Sequence, residues 1–134
     1  MIDKRYLLDT NVLSHLVRFP GDLVRKIASV GKDSVCTSIV VAAELRFGAL
    51  KKGSEALVTR VDDLLDTLDV LALDGDVGRV YAAVRARLES SGRPIGGNDY
   101  LIAASALTAG CTLVTDNVQE FRRVPNLSVE NWLR

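Results

Sequence analysis

Short apolar runs alternate along this chain with longer stretches whose apolar residues recur every three or four positions. Residues 5–8 form a short apolar strand that ends at a sharp polar break, Asp9-Thr10-Asn11. Residues 12–18 restart as a helix, with Val12, Leu13, Leu16 and Val17 on one side. Phe19-Pro20-Gly21 is a turn, and a second helix over 22–30 stops at Gly31. A strand is predicted over 34–37, with Ser38 capping a helix from residue 39 to about residue 52. That helix is apolar on nearly every side and is expected to be the most buried in the protein. After Gly53-Ser54 an amphipathic helix covers 55–68, with Leu57, Val61, Leu64, Leu65 and Leu68 in one stripe. A strand follows over 69–73, and then a helix with the stripe Val77, Val80, Tyr81, Val84 and Leu88, capped by Asp74. Residues 90–97 are a glycine- and proline-containing loop.

The stretch GGNDYLIAASALTAGCTLVTDN, residues 96–117, reads as a helix running directly into a strand. Asn98 is a suitable N-cap, Asp99 follows in the first turn, and Gly110 supplies a left-handed stop. The many alanines between them let a helix lie close against a sheet. Residues 111–115 form a buried parallel strand, with Asp116 just past its C-terminal end. A helical turn over 118–124 and an edge strand within 128–133 close the pattern. Alternation of this kind predicts an α/β fold: a parallel sheet of four to five strands, right-handed crossovers and helices on both faces.

The 134 residues suit a single domain spanning 1–134. With 48% hydrophobic and 25% charged residues the chain has an ordinary globular composition. Lysine plus arginine and aspartate plus glutamate each number 17, so no global field advertises a polyanionic partner, and any nucleic-acid contact must come from local patches. Arg46, Lys51, Lys52, Arg93, Arg122 and Arg123 are available for that. Cys36 and Cys111 both lie in apolar strand runs and are expected as buried, reduced thiols. The first residues, MIDKRYLLDTN, carry no apolar signal region, and no apolar run reaches membrane-spanning length. A cytoplasmic location follows as the simplest expectation.

The chemistry concentrates in acids. Asp9 and Asp116 each sit at the C-terminal end of a predicted strand, although turns and helix caps also favour aspartate. Glu44 lies inside the apolar helix with Val40, Val41, Phe47 and Gly48 at helical neighbour positions, so it must be protonated, paired or metal-bound unless it reaches solvent or Lys51. Gly48 removes bulk on that face. Asp99 stands at a helix start, where the dipole favours an acid. If the four converge, their mutual repulsion calls for a hard divalent cation, Mg²⁺ or Mn²⁺, in an all-oxygen site. Such a centre suits phosphoryl hydrolysis.

LLDTN at 7–11, the apolar helix with AEL at 43–45 and Gly48, NDYLIAASAL at 98–107, and LVTDN at 113–117 together resemble PIN-domain ribonucleases, in particular the VapC-type toxins of bacterial toxin–antitoxin pairs. The resemblance extends to SVENWL at 128–133. It implies a three-layer fold with an acidic pocket at the strand ends. It matches Asp9 and Asp99 to the principal metal ligands, Glu44 to a third acid, and Asp116 to the fourth acidic or amide position, with Asn117 and Glu120 as rivals there. It leaves Thr10, Asn11, Asn98, Thr115 and Asn117 to orient water or phosphate. It further implies endoribonuclease action on structured RNA, often tRNA, inhibition by a small DNA-binding antitoxin, and homodimers. The helices at 11–18 and 55–68 would offer the antitoxin apolar surface.

Two other readings begin from the same first aspartate. A haloacid-dehalogenase-like phosphatase would carry a second acid where Asn11 stands. A receiver-like phosphoacceptor module would place a lysine after a late strand, where Thr115-Asp116-Asn117 has none. A PIN-like scaffold without catalysis would have no reason to keep all four acids. His15, the sole histidine, has no partner in sequence, and Trp132 reads as a packing residue.

Overall fold

The computed structural model describes residues 4–133. Five parallel strands make one sheet: β1 (Arg5–Leu8), β2 (Val35–Ser38), β3 (Asp69–Leu71), β4 (Cys111–Val114) and β5 (Val129–Glu130), in the order β3-β2-β1-β4-β5. β1 is central, pairing Tyr6 with Val35 on one side and Leu8 with Val114 on the other. Its position explains its composition. Leu7 and Leu8 are fully buried, as parallel strands covered on both faces must be.

The chain moves outward from β1 to β2 and β3, then crosses back to β4 and β5. Right-handed crossovers in these two opposite directions place the intervening helices on opposite faces. The first set is α1 (Thr10–Arg18), α2 (Gly21–Val30), α3 (Ile39–Lys52) and α4 (Glu55–Thr67), with a 3₁₀ turn at Lys32–Ser34. The second is α5 (Val77–Ser90), α6 (Gly97–Ala109) and the short α7 (Val118–Phe121). The strand order reverses between β1 and β4. Open α/β sheets bind ligands at such a point, outside the carboxyl ends of the strands.

Three expectations about elements change. The most deeply buried helix is α6, not α3. Ile102, Ala103, Ala104 and Ala106 are inaccessible, whereas α3 leaves Ile39, Phe47 and Leu50 exposed. α6 begins at Gly97 with Gly96 at the cap position and no side-chain cap, so Asn98 lies in the first turn and is free for other bonds. α5 begins at Val77 without a side-chain cap from Asp74 or Asp76. Elsewhere the caps are as read: Ser38 accepts from Val41, and Gly110 takes the left-handed conformation. The two cysteines are free and buried, their sulfurs 3.7 Å apart. Trp132 stacks on Tyr6, with its indole N–H on Glu130. No described helix is long and apolar enough to cross a membrane. The first residues read for a leader signal fall partly at 1–3, outside those described.

Candidate active site

The hydrogen-bond ladder carries β1 one residue past its end, where the Asp9 amide donates to the Val114 carbonyl at 2.9 Å. This fixes Asp9 at the switch point, where it also acts as the N-cap of α1. Its Oδ1 accepts from the Thr10 amide at 2.8 Å, and its Oδ2 accepts from the Thr115 hydroxyl at 2.8 Å. The side chain is 95% buried, which pushes its pKa above the usual carboxylate range. The Thr115 and Thr10 bonds pull the other way, and the charges of Glu44 and Asp116 push it further up.

Glu44 comes from α3 and is half-buried. It neither points to bulk solvent nor reaches Lys51. Its Oε1 accepts from the Thr10 hydroxyl at 2.6 Å, and its Oε2 from the Asn98 amide at 3.2 Å. Thr10 thus bridges Asp9 and Glu44, by its backbone to one and its hydroxyl to the other. Gly48 lines a small cleft with Thr10, Arg18, Glu44 and Lys52, but a Cβ there would meet open space. It is not the close approach expected of it.

The glycine that matters is Gly96. A Cβ on it would come 3.0 Å from Oδ2 of Asp99 and 3.9 Å from Oε1 of Glu120, and its amide donates to that Glu120 oxygen at 2.9 Å. Asp99 lies against Glu120. Burial first, then the Glu120 carboxylate and the fields of Asp9 and Glu44, push its pKa up to about 7. Burial acts on Glu120 in the same direction. The Gly96 amide, the Asn117 side chain, Asp99 and Arg123 outweigh it and hold Glu120 below the usual range.

Asp9, Glu44, Asp99 and Glu120 therefore share one mouth. Asp116 is exposed at its rim, tied through its backbone amide to the Asn11 side chain at 3.3 Å. It faces a polar cavity of about 530 Å³ with Asn117, Gln119, Arg122 and Asn131. Of the three rivals for the fourth position, Glu120 is the one placed on Asp99. Asn117 supports it, donating from its side chain to Glu120 and from its amide to Thr115. Sequence reading weighed Glu120 only as an alternative, and it missed Gly96. The signal for Glu120 was its spacing, one helical turn after Asn117.

The polar neighbours are all engaged: Thr10, Asn98 and Thr115 on the acids, Asn117 on Glu120, Asn11 on the Asp116 backbone. Among the described residues no three acidic, histidine or cysteine side chains stand tightly enough, as placed, to cage an ion, and hydroxyl and amide groups lie between the carboxylates. The donor set still fits a hard cation. It is all oxygen, the neighbouring acids help to raise the pKa of Asp9 and of Asp99, and Gly96 keeps bulk out of the space beside Asp99. His15 stacks on Phe19 outside the site. Arg46 pairs with Asp62, and Arg123 donates to the Pro94 carbonyl at 2.8 Å. That leaves Arg18, Lys52 and Arg122 as the basic side chains lining the clefts beside the acids.

The chain also matches known proteins over most of its length. The PIN domain matches residues 6–127. Ribonuclease VapC2 of Rickettsia felis is 35% identical over 130 residues, covering 95% of this chain and 97% of that protein. The tRNA(fMet)-specific endonuclease VapC of Shigella flexneri is 32% identical, covering 96% and 98%. Among solved structures, VapBC2 from Rickettsia felis bound to a DNA fragment from its promoter superposes with a TM-score of 0.89, covering 95% of this chain and 98% of that one.

Proposed function

Because the chain belongs to the PIN-domain family and groups there with the VapC ribonucleases, we propose that it is a metal-dependent endoribonuclease, the toxin of a toxin–antitoxin pair, acting in the cytoplasm. The phosphatase and receiver readings fall with that membership. The observation that carries the proposal is the meeting of Asp9, Glu44, Asp99 and Glu120 at the switch point of the sheet. Asp9 and Asp99 would hold a divalent cation, Mg²⁺ or in its place Mn²⁺, with Glu44 and Glu120 completing an oxygen donor set. When bound, the cation supplies charge neutralisation and Lewis acidity toward a phosphodiester.

The chain's own residues do the rest. Thr10 and Asn98 fix both oxygens of Glu44, so its remaining lone pairs can orient a water in line with the scissile phosphate. Thr115 and the Thr10 amide hold Asp9 in one rotamer. Arg18, Lys52 and Arg122, along the clefts on either side, supply phosphate contacts that position the RNA without reading its sequence. Asp116 stands at the rim, where it borders the path of the RNA strand.

The substrate is structured RNA, and tRNA in particular, since relatives at this identity are tRNA endonucleases. The partner is a small DNA-binding antitoxin that inhibits the nuclease, as solved relatives are VapBC assemblies. An apolar groove of about 570 Å³ between α1, α2 and α4, lined by Leu16, Val17, Val24, Ile27, Leu64 and Leu68, is where its apolar segment would seat. The exposed stripe Ile39, Phe47 and Leu50 on α3 would meet a second copy in a homodimer. Purified protein incubated with tRNA should cut it with Mg²⁺ or Mn²⁺ and stop with excess chelator. Asp99→Asn should lower the rate by about a hundredfold or more. Cleavage that survives chelation and is undiminished in Asp99→Asn would sink the proposal.

A further inference from the structure

The loop between α5 and α6 carries no acid, yet three consecutive residues of it have a backbone group held by a side chain. The Pro94 carbonyl accepts from Nη1 of Arg123 at 2.8 Å. The Ile95 amide donates to the Tyr100 hydroxyl at 3.2 Å. The Gly96 amide donates to Oε1 of Glu120 at 2.9 Å. These three consecutive residues are thus clasped by α6 on one side and by α7 and Arg123, two residues past its end, on the other. Tyr100 is itself 1% exposed and is packed edge-on against Tyr81, with the Arg85 guanidinium 5.4 Å from its ring centroid. The clasp closes around the spot where Gly96, Asp99 and Glu120 crowd together.

We infer that Arg123 and Tyr100 are positioning residues for the acid pair, holding residues 94–96 so that the Gly96 amide aims the Glu120 carboxylate at Asp99. The inference rests on the metal-dependent nuclease reading above. Neither residue touches the substrate. Arg123 belongs to the fold of the site rather than to the basic surface that contacts RNA. Its guanidinium reaches back 29 positions to a carbonyl, and it is only half-exposed, unlike Arg122 beside it. Tyr100 acts from the α6 side through a single hydroxyl.

Two variants, Arg123→Gln and Tyr100→Phe, separate this role from its rivals. Tyr100→Phe keeps the ring and removes only the acceptor, so it remains informative should Arg123→Gln fold poorly. Metal-free protein is titrated with Mn²⁺ by calorimetry, and kcat and KM are measured on unfractionated tRNA across a range of salt. Both variants should lose about 10- to 100-fold in Mn²⁺ affinity and in kcat, with KM unchanged. An Arg123→Gln protein with wild-type kcat and Mn²⁺ affinity, a raised KM and a salt slope smaller by about one would make Arg123 an RNA contact and overturn the assignment. So would Tyr100→Phe protein indistinguishable from wild type. Wild-type protein that takes up no Mn²⁺ would remove the nuclease reading along with this one, whereas normal wild-type uptake with unaffected variants removes this one alone.

Discussion

At Asp99 the folded protein keeps a proton up to about pH 7, while the unfolded chain releases it near its ordinary value of 3.8. Between those two values the folded state binds more protons, so stability falls as pH rises through the window. Glu120, held below its ordinary 4.5, acts in the more acid range and in the opposite sense. Metal-free wild type should therefore melt progressively lower from about pH 4 to about pH 7 relative to Asp99→Asn, and Mg²⁺ should restore wild type only. Parallel melting curves across that range would refute the crowding. Asp9 differs, because it caps α1 as well as facing the other acids. Asp9→Ala should cost about 1–2 kcal/mol in urea unfolding, while Asp9→Asn, still able to accept one bond, should stay near wild type without metal and lose activity with it. Asp9, Glu44 and Asp99 were legible from their places at a strand end, in an apolar helix and at a helix start. Glu120 was less so, because its role depends on a glycine 24 positions away.

The same contrast holds among the elements. Both α3 and α6 are apolar on most sides, and periodicity alone cannot say which sides the fold will cover. α6 lies under α5 and against β4 and α3, and its alanines permit that close approach. Enlarging one of them should therefore strain three contacts at once. Ala103→Leu is expected to destabilise the protein by about 1–3 kcal/mol, read from the urea midpoint with the slope unchanged. A comparable change at exposed Phe47 or Leu50 should leave the monomer's stability nearly untouched. Strand alternation, the parallel sheet and most helix stops could be read directly. The start of α6 could not, because Asn98 has the chemistry of a cap but donates instead to Glu44, and only the tertiary arrangement decides between those uses.

Across the whole molecule the acid mouth and the apolar groove involve different residues, although α1 contributes to both through Thr10 and Leu16. Cleavage and antitoxin binding should therefore separate by mutation. Val24 is 51% exposed on the groove, which none of Asp9, Glu44, Asp99 and Glu120 lines. Val24→Asp should weaken antitoxin binding by at least about thirtyfold while leaving tRNA cleavage at the wild-type rate, as co-purification and cleavage assays on the same preparation would report. Equal loss of both would mean the groove is part of the nuclease. The helices at 11–18 and 55–68 marked two walls of that groove from sequence. α2, the third wall, was not legible, because its outward-facing apolar residues look like any half-buried stripe. The central position of β1 has one more consequence, and it concerns time. The carboxylate of Asp9 is fixed by Thr115, 106 positions later, and its strand stays unpaired on one side until residues 111–114 have been made. Domains generally fold as units during synthesis at about 5–20 residues per second. A nascent chain that ends before residue 111 thus carries Asp9, Glu44 and Asp99 while β1 lacks its β4 neighbour and Asp9 lacks Thr115, so the acids are expected to be gathered only once that strand has been made.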